Sequence, residues 1–159
     1  MMESSCIGII ATQGQSARIR PARKEEWPSL IAIWEKTVRE THGFLAEDDF
    51  AEIKSQMPDY LGAVELFVWD EGEGPAGFLG LLDNMVEMLF VADRGKGIGR
   101  KLLDFAVAEK GATRLDVNEQ NAQARGFYEK YGFAVSGRSE FDTGGRPYPL
   151  LHMELKQTK

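Results

Sequence analysis

The sequence predicts an α/β (α+β) fold: a single domain built on a central mixed, mostly antiparallel sheet flanked by helices. Three observations carry that expectation. Apolar residues recur at helical spacing in some stretches and in β-rich runs in others, and the two kinds alternate along the chain. Three β-rich runs between residues 64 and 91 are separated only by turn residues, which makes an antiparallel meander. The 159 residues, 43% hydrophobic and 28% charged, make one ordinary globular domain and not a disordered chain.

Taken in order, residues 1–16 are aperiodic and carry Ser, Gln and Gly, so they are expected as a loose N-terminal leader ahead of a domain spanning 17–159. Cys6 in that leader reads as an idle thiol. A short strand at 18–20 stops at Pro21. Trp27, Leu30, Ile31, Trp34 and Val38 then fall at i, i+3, i+4, i+7 and i+11, one face of an amphipathic helix. Thr41-His42-Gly43-Phe44-Leu45 breaks it. Phe50, Ile53 and Met57 mark a second helix, expected to end at Pro58 because proline lacks the N–H a helix interior needs.

The meander follows: Leu66–Trp69, a Gly/Glu/Pro turn, Ala76–Leu82, the turn Asp83-Asn84, and Met85–Val91. A helix marked by Ile98, Leu102, Ala106 and Val107 closes at Gly111, where glycine suits the left-handed residue after a helix. Arg114–Val117 is a strand. Ala124, Phe127, Tyr128 and Tyr131 mark the last helix, capped by Gly132, and strands at 133–139 and 150–155 finish the chain around a polar turn.

Composition excludes several functions. Nineteen basic against twenty-five acidic residues give a net charge of −6, which argues against a general nucleic-acid or anionic-membrane surface. No apolar run approaches the roughly 18 residues of a membrane span. Glu3 stands where a signal peptide would carry positive charge, so a soluble, cytoplasmic protein is expected. One cysteine allows neither an internal disulfide nor a zinc cluster. Two histidines without G-x-S-x-G give no support to a hydrolase triad, and no carboxylate–histidine spacing suggests a metal. His152, alternating with Leu151 and Met153, reads as a structural residue on the opposite strand face.

The legible chemistry sits at Gly95, Gly97 and Gly99, between a strand and a helix. Backbone N–H groups at such a helix start, together with the helix dipole, attract phosphate, and glycines let the ligand come close. Arg94, Lys96, Arg100 and Lys101 reverse the local sign of charge in an acidic chain. No Gly-Lys-Ser or Gly-Lys-Thr exists for a Walker loop, and the third glycine of a G-x-G-x-x-G fingerprint would fall on Arg100 or Leu102.

Two ordered motifs fit another pattern. Arg94-Gly95-Lys96-Gly97-Ile98-Gly99 has the form [RQ]-x-x-G-x-[GA]. After one helix and one strand comes Asn121 through Phe133, of the form N-x-x-A-x-x-F-Y-x-x-x-G-F. Together they resemble the signatures of the GNAT superfamily of acyl-CoA-dependent N-acetyltransferases, and the resemblance covers roughly residues 18 to 156. Thr41–Leu45, Asn118–Asn121 and the segments from Arg138 to Glu140 and Gly145 to Leu151 are similar to the bacterial YjaB-type members. Only Ala92 and Asp93 separate the strand from Arg94, a shorter turn than the family usually carries.

The resemblance implies the GNAT acyltransferase fold, with acetyl-CoA as co-substrate in a splay between the strand holding Val91 and the strand holding Val117. It implies direct transfer of the acetyl group to a primary amine in a ternary complex. Cofactor-binding candidates are Arg94, Gly95, Lys96, Gly97, Ile98, Gly99 and Arg100 for the pyrophosphate, the backbone of Leu89, Phe90 and Val91 for the pantetheine arm, and Asn121 and Phe127. Asn121 also suits a helix cap.

Tyr128 is the candidate general acid for the leaving thiolate, although it also lies on a core stripe; Tyr131 reads as core. Glu87 is the candidate base, balanced against a plain solvent-facing carboxylate. His42 and Phe44 are weaker acceptor-site candidates. A small-molecule or peptide amine is the expected partner, with no nucleic acid, membrane or metal involved, and homodimerisation stays open. The rival from another class is a non-catalytic acyl-CoA-binding sensor or partner module on the same fold.

Overall fold

The computed structural model describes residues 18–156; the leader and Cys6 lie outside the described residues. Seven strands form one sheet in the order β1-β2-β3-β4-β5-β7-β6: β1 Ile19–Pro21, β2 Glu65–Asp70, β3 Pro75–Leu82, β4 Met85–Val91, β5 Arg114–Asn118, β6 Phe133–Ser139 and β7 Leu150–Leu155. Every neighbouring pair is antiparallel except β4 with β5, which run parallel. The helices are α1 Trp27–Thr41, α2 Glu47–Gly62, α3 Ile98–Lys110 and α4 Ala122–Tyr131.

Strand alternation sorts the core onto two faces. Phe67, Trp69, Leu79 and Leu81 pack with Leu102, Leu103 and Ala106 of α3 and Tyr128 of α4. Val68 and Phe78 point the other way, onto Leu30, Trp34 and Val38 of α1 and Phe50, Met57 and Leu61 of α2. The α1 face is held at its start by an ionic cluster. Arg20 on β1 donates to Glu26 at 2.6 and 2.9 Å and to Asp70 on β2 at 2.7 Å, while Glu26 also accepts from the N–H of Arg23. The Arg20 guanidinium holds the Glu26 carboxyl down at about 2, well below its ordinary 4.5.

The first strand includes Pro21, which was expected to stop it, and the larger boundary departure is in α2. Pro58 does not end α2, which runs on to Gly62. A proline inside a helix costs about 3 kcal/mol. Met57 and Leu61, 2% and 1% exposed, each return ~1.5–3 kcal/mol by burial. Pro58 and Lys54, the residue whose carbonyl loses its bond, are both exposed, so water can satisfy that oxygen.

Candidate active site

The sheet opens where its one parallel pair begins. β4 and β5 pair only at Met85 with Arg114 and Val86 with Leu115. Asn84 clamps the closed end, its carbonyl accepting from the N–H groups of Thr113 and Arg114 and its amide donating to the Thr113 hydroxyl. Beyond that clamp the strands part around a cavity of about 270 Å³. This is the splay the resemblance implies.

A β-bulge opens the same strand. Met88 pairs with Gly80 and Val86 with Leu81, so Glu87 is the extra residue. Bulges re-aim side chains, and here the bulged carboxylate lines the splay and the cavity next to it. On the β3 side the Ala92 N–H donates to the Ala76 carbonyl at 2.9 Å. By alternation the backbone groups of Leu89 and Val91 then face the splay, where no strand pairs with them. Phe90 contributes its side chain instead.

The glycine loop follows β4. Gly95 and Gly97 take φ of +84° and +76°, the left-handed region that costs other residues roughly 1–2 kcal/mol. Gly97 is the N-cap of α3 and offers no side chain, and the first helical bond runs from the Lys101 N–H to the Gly97 carbonyl. The N–H groups before Lys101 therefore have no helical partner and open on a second cavity of about 300 Å³, lined by Arg94, Gly95, Gly97, Ile98, Gly99 and Arg100. Phe127 and Asn121 stand across it.

Arg94 reaches over this cavity to donate to Gln123 in the first turn of α4. Arg100 lies over the Tyr131 ring. Lys96 is not on the lining; its ammonium sits 3.8 Å from Asp93 in solvent.

α4 presents its side chains as its cap dictates. The Asn121 side chain accepts from the Ala124 N–H, starting the helix beside the splay. A buried tyrosine hydroxyl usually finds a hydrogen-bond partner. Tyr131 has one, donating to Asp104 at 2.7 Å. Tyr128 is buried, and its hydroxyl has no hydrogen bond among the described residues. It lines both the splay and the glycine-loop cavity. Burial pushes its ionisation far up, so the phenol keeps its proton at neutral pH.

A third cavity, about 350 Å³, lies between α1, α2 and the β6–β7 connection. Its walls include Phe44, Ile53, Met57 and Met88, with Glu87, Asp142 and Arg146 as polar groups. Asp142 and Thr143 read in the sequence as an ordinary polar turn, and Arg146 and Tyr148 fall in the Gly145–Leu151 segment similar to the YjaB-type members, which singles out neither of them for the site. Arg146 donates to Glu52 and Asp142, and the Tyr148 hydroxyl donates to Asp49 while accepting from the Ala46 N–H. Thr37 and Gln123 in the second cavity carry no sequence signal, whereas Thr41 opens the Thr41–Leu45 segment similar to the YjaB-type members.

Glu87 faces both neighbouring cavities. Its carboxyl is exposed to solvent, but partial desolvation by the cavity walls, and the like charge of Asp116 on β5, raise it above the ordinary range. Asp116 accepts at 2.7 Å from His152 Nδ1, whose Nε2 is 2.7 Å from the Ser139 hydroxyl. The chain of groups Ser139–His152–Asp116 thus exists, brought together from β6, β7 and β5, although no hydrolase motif predicted it. His42 and Phe90 line all three cavities. The three spaces therefore meet at one junction.

The sequence matches the family described as "Acetyltransferase (GNAT) domain" over residues 32–156. It is 44% identical over 139 residues to the peptidyl-lysine N-acetyltransferase YjaB of Salmonella typhimurium, covering 85% of this chain and 95% of that protein. It is 41% identical over 138 residues to the peptidyl-lysine N-acetyltransferase YjaB of Escherichia coli K12, covering 85% and 94%. The solution structure of apo-form YjaB from Escherichia coli shares the fold with a TM-score of 0.82 at 40% identity, over 88% of this chain and 97% of that one.

Proposed function

The chain belongs to the GNAT acetyltransferase family, and on that premise we propose that this N-acetyltransferase moves the acetyl group of acetyl-CoA onto a lysine side-chain amine of a protein or peptide. One observation carries the proposal: a phosphate-suited helix start, an unpaired strand edge and an apolar cavity with acidic groups converge on one junction beside an unpartnered buried phenol. The name borne by the relatives, peptidyl-lysine N-acetyltransferase, favours lysine as the acceptor and an enzyme over a silent acyl-CoA sensor.

Arg94 and the free N–H groups at the start of α3 would hold the pyrophosphate. Leu89 and Val91 would pair with the pantetheine amides as an added strand. The lysine arm, four methylenes and a cation, suits the apolar walls of the third cavity and the carboxylates of Glu87 and Asp142. Glu87, raised by its surroundings, takes the first proton from the ammonium. The amine attacks the thioester carbon directly, and backbone donors on the splay stabilise the developing oxyanion. Tyr128 protonates the departing thiolate.

Tyr128→Phe tests the assignment. Acetyl-CoA binding should survive, while turnover measured by thiol release should fall about 10²- to 10⁴-fold. Unchanged turnover would remove Tyr128 from the mechanism.

A further inference from the structure

Acylating an ammonium removes two protons from nitrogen, and Glu87 accounts for one. Thr41 closes α1 and donates its hydroxyl proton to the Thr37 carbonyl at 2.8 Å. The same oxygen is 2.6 Å from His42 Nδ1. A carbonyl brings no proton, so the single hydroxyl proton is committed to it. The contact with the ring is then an Nδ1–H donating to the hydroxyl oxygen. The opposite tautomer would set lone pair against lone pair at one of these two short contacts.

Neutral His42 therefore carries its proton on Nδ1, leaving an Nε2 lone pair with no hydrogen-bond partner among the described residues. Burial holds the imidazole below its ordinary range, so it is neutral at pH 7. The ring lines all three cavities and lies 5.0 Å from that of Phe44.

We infer that His42 Nε2 is a second base, taking the proton that the acceptor nitrogen sheds as its bond to the thioester carbon forms. The inference rests on the acetyl-transfer reading above. The carboxylate of Glu87 attracts the lysine cation and receives its first proton, and the nitrogen becomes far more acidic once it bonds the carbonyl carbon, so that a neutral imidazole can take the second. The balance closes. One proton goes to Glu87 and on to solvent, and the second goes to His42. The C–S bond breaks, the thiolate takes the Tyr128 proton, and the imidazolium restores it through water in the two cavities His42 and Tyr128 share.

The charged and titratable groups around the junction are Glu87 on β4, Asp116 on β5, Tyr128 on α4, and Asp142 and Arg146 of the β6–β7 connection. Asp93, Arg94 and Arg100 face it from the glycine loop, and Tyr60 and Tyr148 from the acceptor cavity. None of them is hydrogen-bonded to the ring, so a transient imidazolium would gain from the nearby carboxylates without being fixed by one.

Two measurements test this. The chain has two histidines, so ¹⁵N-imidazole NMR, with His152→Gln for assignment, reads the His42 tautomer directly. The expected form is Nδ1–H, and an Nε2–H ring overturns the inference whatever the activity. Thiol release from acetyl-CoA with a lysine peptide is the second. His42→Gln should lower kcat on the order of 10²-fold, leave the KM for acetyl-CoA unchanged, and replace the neutral-pH plateau with a rate that keeps rising with pH. Thr41→Val should show a weaker form of the same profile, and Thr41→Ser should restore the wild type. An unmoved pH profile in His42→Gln overturns the proposal. Loss of acetyl-CoA binding by the wild type would instead sink the acetyl-transfer reading, with the tautomer still deciding the role of the ring.

Discussion

The glycine-loop side of the site and the side of the third cavity are built by opposite means. On the first, the contacts that shape the cavity are short in sequence: Asn121 caps a helix three residues on, and Arg94 reaches Gln123, 29 residues away. On the second, the connection between β6 and β7 is tied to α2 by Arg146–Glu52, Tyr148–Asp49 and Tyr148–Ala46, pairs 94, 99 and 102 residues apart. The first side depends on what a few consecutive residues can do with their backbone. The second depends on where the whole sheet sets two distant loops.

That contrast predicts different ways of failing. The largest effect should come from Gly97→Glu, which puts bulk and negative charge on a left-handed N-cap where phosphate is expected. With ligand at about 100 times its dissociation constant, acetyl-CoA should stabilise the wild type by roughly 2.7 kcal/mol, on the order of 5–10 °C in thermal unfolding. The variant should show no shift at all. A retained shift would mean that this loop is not the pyrophosphate site.

Arg146→Ala should act on the other side only. Freed from α2, the connection no longer walls the third cavity, and the KM for a lysine peptide should rise about tenfold, ~1.4 kcal/mol. The KM for acetyl-CoA should stay put. If both constants rose equally, the two halves would not be separable as drawn.

The smallest effect on activity belongs to Glu26, far from either ligand surface. Its folded carboxyl sits at about 2 against an ordinary 4.5. It therefore contributes stability that is fully present above pH 4.5 and is lost as the pH falls toward 2. Glu26→Gln should cost on the order of 1–2 kcal/mol in urea unfolding at pH 7, flatten the acid limb of the stability profile, and leave kcat intact. An unchanged acid limb would show that Arg20 does not hold the carboxyl down.

What could be read in the sequence follows the same line. Gly97 and Gly95 were legible because left-handed backbone, open space and a following helix are local requirements with few solutions. The burial of Tyr128 was legible from the spacing of its stripe, and the resemblance alone set it apart from Tyr131, read as core; the difference between their hydroxyl partners was not legible. That difference comes from Asp104, on another helix, which partners one hydroxyl and leaves the other open to the cavity. Pro58 misled because a local rule was outweighed by the burial of Met57 and Leu61 against a sheet. Lys96, a candidate phosphate ligand from the resemblance and its charge, stands beside Asp93 and off the cavity lining.

By itself, then, the sequence determined the order of the elements, the two-faced core and the phosphate-suited loop. Each follows from periodicity, capping or chirality acting over a few residues. Tertiary structure alone decided the third cavity, the Ser139–His152–Asp116 chain and the position of His42 at the meeting of three spaces. Those depend on the register of strands far apart in sequence and on the parting of β4 from β5 beyond Val86, which no local preference encodes.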